Sequence, residues 1–465
     1  MKIFDTIAAV STPRGKGGVA MIRISGETAV ELASKVFFPK SGKSLSEIGH
    51  GRAVYGVIKE HDGKGDSYIL DDGIATVFFA PASFTGENTV EICCHGGVLV
   101  TEKVLSACFA AGCRPAEAGE FTRRAFISGK MSLSEAEDLG ALLDAKTEGQ
   151  LRLSRKGLDG HLAERIDEIY SSLRSVLMGV YAKIDFPDED LAEITENEML
   201  DNVKSAIDTL RTLESTYKAS KAIREGVKTV ICGRTNAGKS SLYNRILGRD
   251  AAIVTSIPGT TRDILEQTAA LGNVTLLLCD TAGLRETEEV VESIGIERSR
   301  DAMESAELIF AVFDASEDFT EDDLALIGEI SGKENVIALL NKCDLDTADA
   351  DEKKKMLAGI ENIICLSAKT GEGYDALAEK VEAMFECGEF ELRYDTMVTS
   401  ARQHAAILQA ISHLKNAEEA LATGLPVDLC GTDIECAMSS LAELDGRAVS
   451  EDIVAGIFSN FCVGK

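Results

Sequence analysis

"GRTNAGKSS", residues 233–241, follows the apolar run "VKTVIC" at 227–232 and fits G-x-x-x-x-G-K-S. In this pattern Gly permits the tight loop, backbone N–H groups cradle phosphate, and a helix N-terminus faces the anion. Lys239 is then expected to reach the β- and γ-phosphates and Ser240 to hold Mg²⁺, with Asn236, Ala237, Gly238 and Ser241 as the other nucleotide contacts. The surroundings agree. From about 223 to 380, strand-like runs "VTLLLCD", "AELIFAVFD", "NVIALLNKCD" and "NIICLSAK" recur between helical stretches. That rhythm predicts a parallel, doubly wound sheet.

Further elements follow in order. "TSIPGTTRD" at 255–263 supplies Thr261 as a second hydroxyl for Mg²⁺, and its Thr255, Ser256, Ile257, Pro258, Gly259 and Thr260 lie along the same nucleotide loop. "DTAG" at 280–283 ends a strand, with Asp280 near the metal, the Gly283 N–H near the γ-phosphate, and Thr281 and Ala282 between them. In "NKCD", the two oxygens of Asp344 match the N1–H and 2-amino donors of guanine, a pair that adenine lacks. Asn341 and Lys342 orient and cover the base, and Ser367, Ala368 and Lys369 of "SAK" present backbone N–H groups to its oxygen. Together these describe a guanine-nucleotide domain. Leu284 follows "DTAG", where Ras-like enzymes use a Gln to orient the attacking water. Another group must therefore stabilise the transition state: an arginine finger, or a monovalent cation beside the phosphates. Asn236 offers a side-chain carbonyl for such a cation; its plain alternative is a tight-turn residue.

The whole chain is larger than this domain. At 465 residues, with roughly 150 per domain, about three domains are expected. Residues 1–118 alternate strand-like runs such as "GGVAMIRISG" and "TVEICCHGG" with Gly and Pro, which reads as α+β. Residues 119–222 are all-helical, with the capping pattern Ser132-x-x-Glu135 and an interruption at the acidic "DFPDED". Residues 223–380 form the α/β unit, and 381–465 are helical again, so the α/β unit looks inserted into a helical domain.

Composition sets outer limits. No apolar run approaches the roughly 20 residues of a membrane span, and no secretory signal pattern is visible, so a cytoplasmic location is expected. Twelve Cys without a C-x-x-C pair read as reduced, mostly packed thiols. A net charge of −29 repels phosphate backbones, so if RNA is bound, another protein or a local patch supplies much of the positive surface.

"GRTNAGKSSLYN", "IPGTTRD", "DTAGLRE" with "VESIGIERS" and the terminal "FCVGK" resemble the MnmE (TrmE) family of tRNA-modification GTPases. The likeness extends to "TPRGKGGVAMIRISG", "SFTGENTVEICCHGG" and "RPAEAGEFTRRAFISGKMSLSEAE", and so covers nearly the whole chain. It implies an N-terminal folate-binding and dimerising domain, a helical domain, and an inserted Ras-like G domain. It implies a homodimer and an α2β2 complex with the flavoprotein MnmG, which carries FAD. Within that complex an aminomethyl or carboxymethylaminomethyl group is placed on C5 of the tRNA wobble uridine, using 5,10-methylenetetrahydrofolate, for which 5-formyltetrahydrofolate is a stable analogue. The resemblance places a K⁺ site on Asn236, Thr255, Ile257 (backbone) and Thr260, ordered when G domains dimerise, and a water-positioning role on Glu292. It places folate contacts on Arg23, Glu87, Lys130 and Lys465. A carboxylate suits the N–H edge of a pterin, and cations suit its glutamate tail.

Other readings stand beside these. Without the resemblance, Arg23 reads as an exposed strand-edge residue, and His95, with no second ligand at useful spacing, as a satisfied structural histidine. Cys462 continues the apolar stripe of Val454 and Phe458, and packing and chemical roles are equally open to it. Two other functions are a regulatory GTP switch for ribosome assembly and a stand-alone folate-dependent transferase. The acidic chain and the folate-like N-terminus speak against the switch, which usually carries a basic RNA-binding module.

Overall fold

The computed structural model describes residues 5–61, 67–185, 195–249, 267–279, 302–345, 350–388, 395–423, 427–459 and 461–464. Contacts gather into two compact units, Met1–Gly140 with Leu441–Lys465, and Ala141–Ser440.

In the first unit, strands β1 (Ile7–Val10), β2 (Val19–Ser25), β3 (Phe37–Pro39), β4 (Ala53–His61), β5 (Ser67–Phe78), β6 (Thr89–His95) and β7 (Arg114–Pro115) form one sheet. Its order is β3-β4-β5-β6-β2-β1-β7, antiparallel except for the parallel β1–β7 pair. Period-two alternation builds it: Ala20, Ile22 and Ile24 of β2 are buried while Met21 and Arg23 face the other way. The helix Val98–Ala111 covers the buried face with Val104, Ala107 and Cys108.

The chain's last helix, Glu451–Ser459, belongs to this same unit. Ser450 Oγ accepts from Ile453 N at 3.4 Å, and Glu451 and Asp452 occupy the first turn, where their charge suits the helix N-terminus. Val454, Phe458 and Phe461 pack with Leu133 and Ala136. Beyond them Val463 bridges Ala118, and Gly464 O accepts from Ser11 Oγ at 2.9 Å. The tail is therefore held by backbone contacts to the domain that starts the chain. The predicted cap at Ser132 is present and reciprocal: Glu135 N donates to Ser132 Oγ at 3.2 Å, and Ser132 N donates to Glu135 Oε2 at 2.6 Å.

In the second unit, β8 (Val227–Cys232), β9 (Gln267–Leu271), β10 (Val274–Leu278), β11 (Leu308–Asp314), β12 (Val336–Asn341) and β13 (Asn362–Cys365) order as β13-β12-β11-β8-β10-β9. All neighbours are parallel except the edge pair β9–β10. This departs from a purely parallel sheet for a local reason. Only Gly272 and Asn273 join the two strands, Gly272 at φ +60°, and a connection that short can only return antiparallel. Both faces of the sheet are covered. Phe310 and Val312 face one core, and Ile309, Ala311 and Phe313 the other, which is why β11 reads as an unbroken apolar run. Helices Glu148–Gly157, His161–Asp185, Glu196–Ser215, Tyr217–Arg224 and Ala401–Ala422 supply the expected helical part. Among the described residues, no helix is long and apolar enough to cross a membrane.

Candidate functional site

The phosphate loop leaves β8 and enters the helix Lys239–Arg249. Three residues take left-handed backbone: Gly233 at φ +140°, Asn236 at +64° and Gly238 at +102°. The glycines are required by space as well. A Cβ on Gly233 would stand 2.2 Å from Val312 O, and one on Gly238 would stand 2.0 Å from Asn341 Nδ2. Asn236 is exposed, so its turn role and an accessible side-chain carbonyl coexist.

Lys239 Nζ donates to the carbonyls of Gly233 and Arg234, each at 2.7 Å. Burial holds its pKa below the ordinary lysine value. A desolvated ammonium curled over loop carbonyls, next to an exposed Ser240 hydroxyl and a helix N-terminus, fits a Mg²⁺-bound phosphate chain.

Base-recognition residues lie at the ends of β12 and β13. Asn341 is buried; its Nδ2 donates to Ala237 O at 2.8 Å and its Oδ1 accepts from Ala368 N at 2.9 Å. One side chain thus ties the phosphate loop to the "SAK" turn. Lys342 has φ +66°, and its Nζ donates to Asp314 Oδ2 at 2.5 Å, leaving its stem as the part able to cover a base. Burial pushes the Asp314 pKa up, but bonds from Lys342 and Ser316 outweigh it and hold the carboxyl below its ordinary range. Asp344 is half-buried, Ser367 and Ala368 are buried, and Lys369 is exposed.

Sequence reading missed three residues here. Asp314 anchors Lys342, Arg234 pairs with Glu317 at 2.5 Å, and Arg245 donates to the carbonyls of Ala368 and Lys369. "VFDASEDFTEDD" carried the only available signal, an acidic cluster directly after a strand.

Thr255, Ser256, Ile257, Pro258, Gly259, Thr260, Thr261, Asp280, Thr281, Ala282, Gly283, Leu284, Glu292 and Lys465 lie outside the described residues.

In the first unit two of the folate candidates, Arg23 and Glu87, are already engaged with other side chains. Arg23 is not an exposed edge residue: β2 is an inner strand, and Arg23 pairs with its cross-strand neighbour Glu91, Nε to Oε1 at 2.9 Å. Its guanidinium also lies 5.2 Å from the Phe84 ring centroid and 5.7 Å from that of Phe121. Glu87 accepts from Ser25 Oγ at 2.8 Å and from Arg124 Nη1 at 3.2 Å. Arg124 is buried and also reaches Asp5 at 2.8 Å and Glu120 at 2.9 Å. The Lys130 stem lies against the same loop, 3.2 Å from where a Gly86 Cβ would stand, and the residue is exposed. A carboxylate at Glu87, an exposed ammonium whose stem lies against the same loop, and an arginine over two rings fit a pterin with an anionic tail. Arg124, the centre of the network, has no motif signal of its own in "EFTRRAF".

Two further expectations are modified. Cys462 is exposed and stands apart from the cluster of Val454, Phe458 and Phe461, so its packing role falls away. His95 is exposed, and its ring Nδ1 lies 2.8 Å from Asp71 Oδ1. Asp71, Asp72 and His95 each offer an atom within 4.8 Å of the others, a grouping that sequence separation concealed.

The chain is similar to known proteins along its whole length. Residues 133–462 match the model of the MnmE helical domain, and residues 6–130 match that of the GTP-binding protein TrmE N-terminus. The tRNA modification GTPase MnmE of Lactococcus lactis subsp. lactis (strain IL1403) is 40% identical over 463 residues, 99% of each chain. That of Clostridioides difficile (strain 630) is 38% identical over 467 residues, 100% of each chain. Among solved structures, the G domain of the T. maritima FeoB iron transporter aligns with 34% of this chain and 98% of its own at 28% identity, with a TM-score of 0.26. With both family models matched and relatives similar from end to end, this chain belongs to the MnmE family of tRNA modification GTPases.

Proposed function

We propose that this GTPase is potassium-activated and acts with MnmG on C5 of the tRNA wobble uridine, taking a one-carbon unit from tetrahydrofolate. What carries the nucleotide part is the joint at Asn341, which sets the phosphate loop and the base turn in one register. Lys239 binds the β- and γ-phosphates, Ser240 and Thr261 hold Mg²⁺, and Asp344 selects guanine. Leu284 carries no polar group for the attacking water, so positive charge beside the phosphates is supplied by K⁺ on Asn236, Thr255, Ile257 and Thr260, with Glu292 positioning water. G-domain dimerisation orders that loop. Arg23, Glu87, Lys130 and Lys465 hold the folate, which supplies the one-carbon unit when bound. MnmG brings FAD and, with this chain as a homodimer, forms an α2β2 complex that carries the tRNA in the cytoplasm. Residues 1–118, 119–222 with 381–465, and 223–380 are the corresponding folate, helical and G domains.

GTP turnover in matched potassium and sodium buffers tests the first half. Faster turnover in potassium, lost in Asn236→Ala, supports the reading; equal rates in both salts overturn it. Calorimetric titration with 5-formyltetrahydrofolate tests the second half, which fails if no binding is seen.

A further inference from the structure

We propose that Arg245 is a positioning residue for guanine recognition, acting through the peptide between Ala368 and Lys369. Arg245 lies in the helix that follows the phosphate loop, Lys239–Arg249. Its Nε donates to Ala368 O at 2.5 Å and its Nη2 to Lys369 O at 2.5 Å. A guanidinium with two donors on successive carbonyls fixes the orientation of both peptide planes.

The consequence follows from peptide geometry. A trans peptide is planar, with its C=O and N–H pointing in opposite directions. Turning the Ala368 carbonyl onto Arg245 therefore turns the Lys369 N–H away from the helix. The neighbouring donors of the turn are already committed. Ala368 N donates to Asn341 Oδ1, Thr370 N to Ser367 Oγ at 3.1 Å, and Gly371 N to Ser367 O at 2.8 Å. That leaves the Lys369 N–H as the turn's donor for the base oxygen, and Arg245 as the group that aims it. The phosphate loop's own helix thus sets the base pocket from one side, while Asn341 sets it from the other.

This inference rests on the reading of Asp344 and residues 367–369 as the guanine pocket, so the test separates the two. Dissociation constants are measured for GDP, ADP and 6-thio-GDP with the full-length protein and with Arg245→Ala and Arg245→Lys. 6-Thio-GDP keeps the N1–H and 2-amino donors read by Asp344 but replaces the base oxygen with a poor acceptor. A hydrogen bond of ordinary strength predicts that Arg245→Ala weakens GDP by roughly three- to tenfold. It should weaken 6-thio-GDP by less than about twofold, with Arg245→Lys intermediate for GDP. Equal weakening of both nucleotides, or of neither, overturns the positioning role while leaving the pocket intact. Failure of the unaltered protein to prefer GDP over ADP overturns the pocket, and the inference with it. Arg245→Lys keeps a cation on the helix, so the comparison survives if Arg245→Ala does not fold.

Discussion

Gly464 meets Val10 so closely that a Cβ on the glycine would stand 2.1 Å from the Val10 carbonyl oxygen. Its φ of +105° is also unfavourable for any L side chain. The tail lies against β1 because this position has no side chain, and the neighbouring Lys465 is one of the proposed folate contacts. Gly464→Ala is expected to displace the tail and weaken 5-formyltetrahydrofolate by about tenfold, a change of about 1.4 kcal/mol, with GDP affinity unchanged. Gly42→Ala is the control, since Gly42 has φ +76° but no atom within 4 Å of its Cβ position. Calorimetry with both ligands checks this, and equal folate affinity in Gly464→Ala would remove the tail from the site.

Asn341 has a larger effect in the other unit. In Asn341→Ala, Ala237 O and Ala368 N both lose their partner, and an orphaned buried polar group costs about 1–3 kcal/mol. GDP affinity should fall at least tenfold and thermal stability should drop with it. Gly238→Ala should behave similarly, because its Cβ would collide with the same amide.

Arg124 is buried among Asp5, Glu87 and Glu120. Removing one partner of such a network leaves buried charge uncompensated, at about 3–5 kcal/mol. Arg124→Met should lower the urea midpoint markedly, and the additional change Glu120→Gln should restore part of the loss. Full stability in Arg124→Met would show that the network is solvated.

His95 and Asp71 predict a pH effect. The bond to Asp71 raises the imidazole pKa above 6.5. Burial pushes the Asp71 pKa up, but the bonds from His95 outweigh this and lower it below 3.8. The histidine's contribution is therefore complete below its unfolded pKa and is lost as pH rises through its raised folded value. The aspartate's contribution is present above its unfolded pKa and is lost as pH falls through its depressed folded value. NMR titration should show the His95 ring titrating at lower pH in Asp71→Asn than in the parent protein.

Of the twelve cysteines, Cys462 is exposed while the others are half-buried or buried, and burial pushes the Cys387 thiol up to about 12. Under native conditions a maleimide should modify about one thiol quickly, and Cys462→Ala should abolish that fast phase.

The phosphate loop, the base motifs and the helix caps were legible because each is a short contiguous segment whose backbone geometry its own residues impose. Gly233, Gly238 and Ser132 with Glu135 act within a few positions of one another. The antiparallel edge strand was missed because apolar runs reveal burial, not direction, and the two-residue link at Gly272 carried that information. Arg23 was misjudged as an edge residue because its partner Glu91 lies on a different strand.

The sequence by itself determined that this chain binds guanine nucleotide and belongs with the tRNA modification GTPases, since local motifs and their order carry that chemistry. Only the tertiary structure decided that Arg124 gathers Asp5, Glu87 and Glu120, that Arg245 grips the turn at 368–369, and that Cys462 stands in solvent. Those relations join residues up to 124 positions apart, and their energies come from burial and pairing, which exist only once the chain has folded.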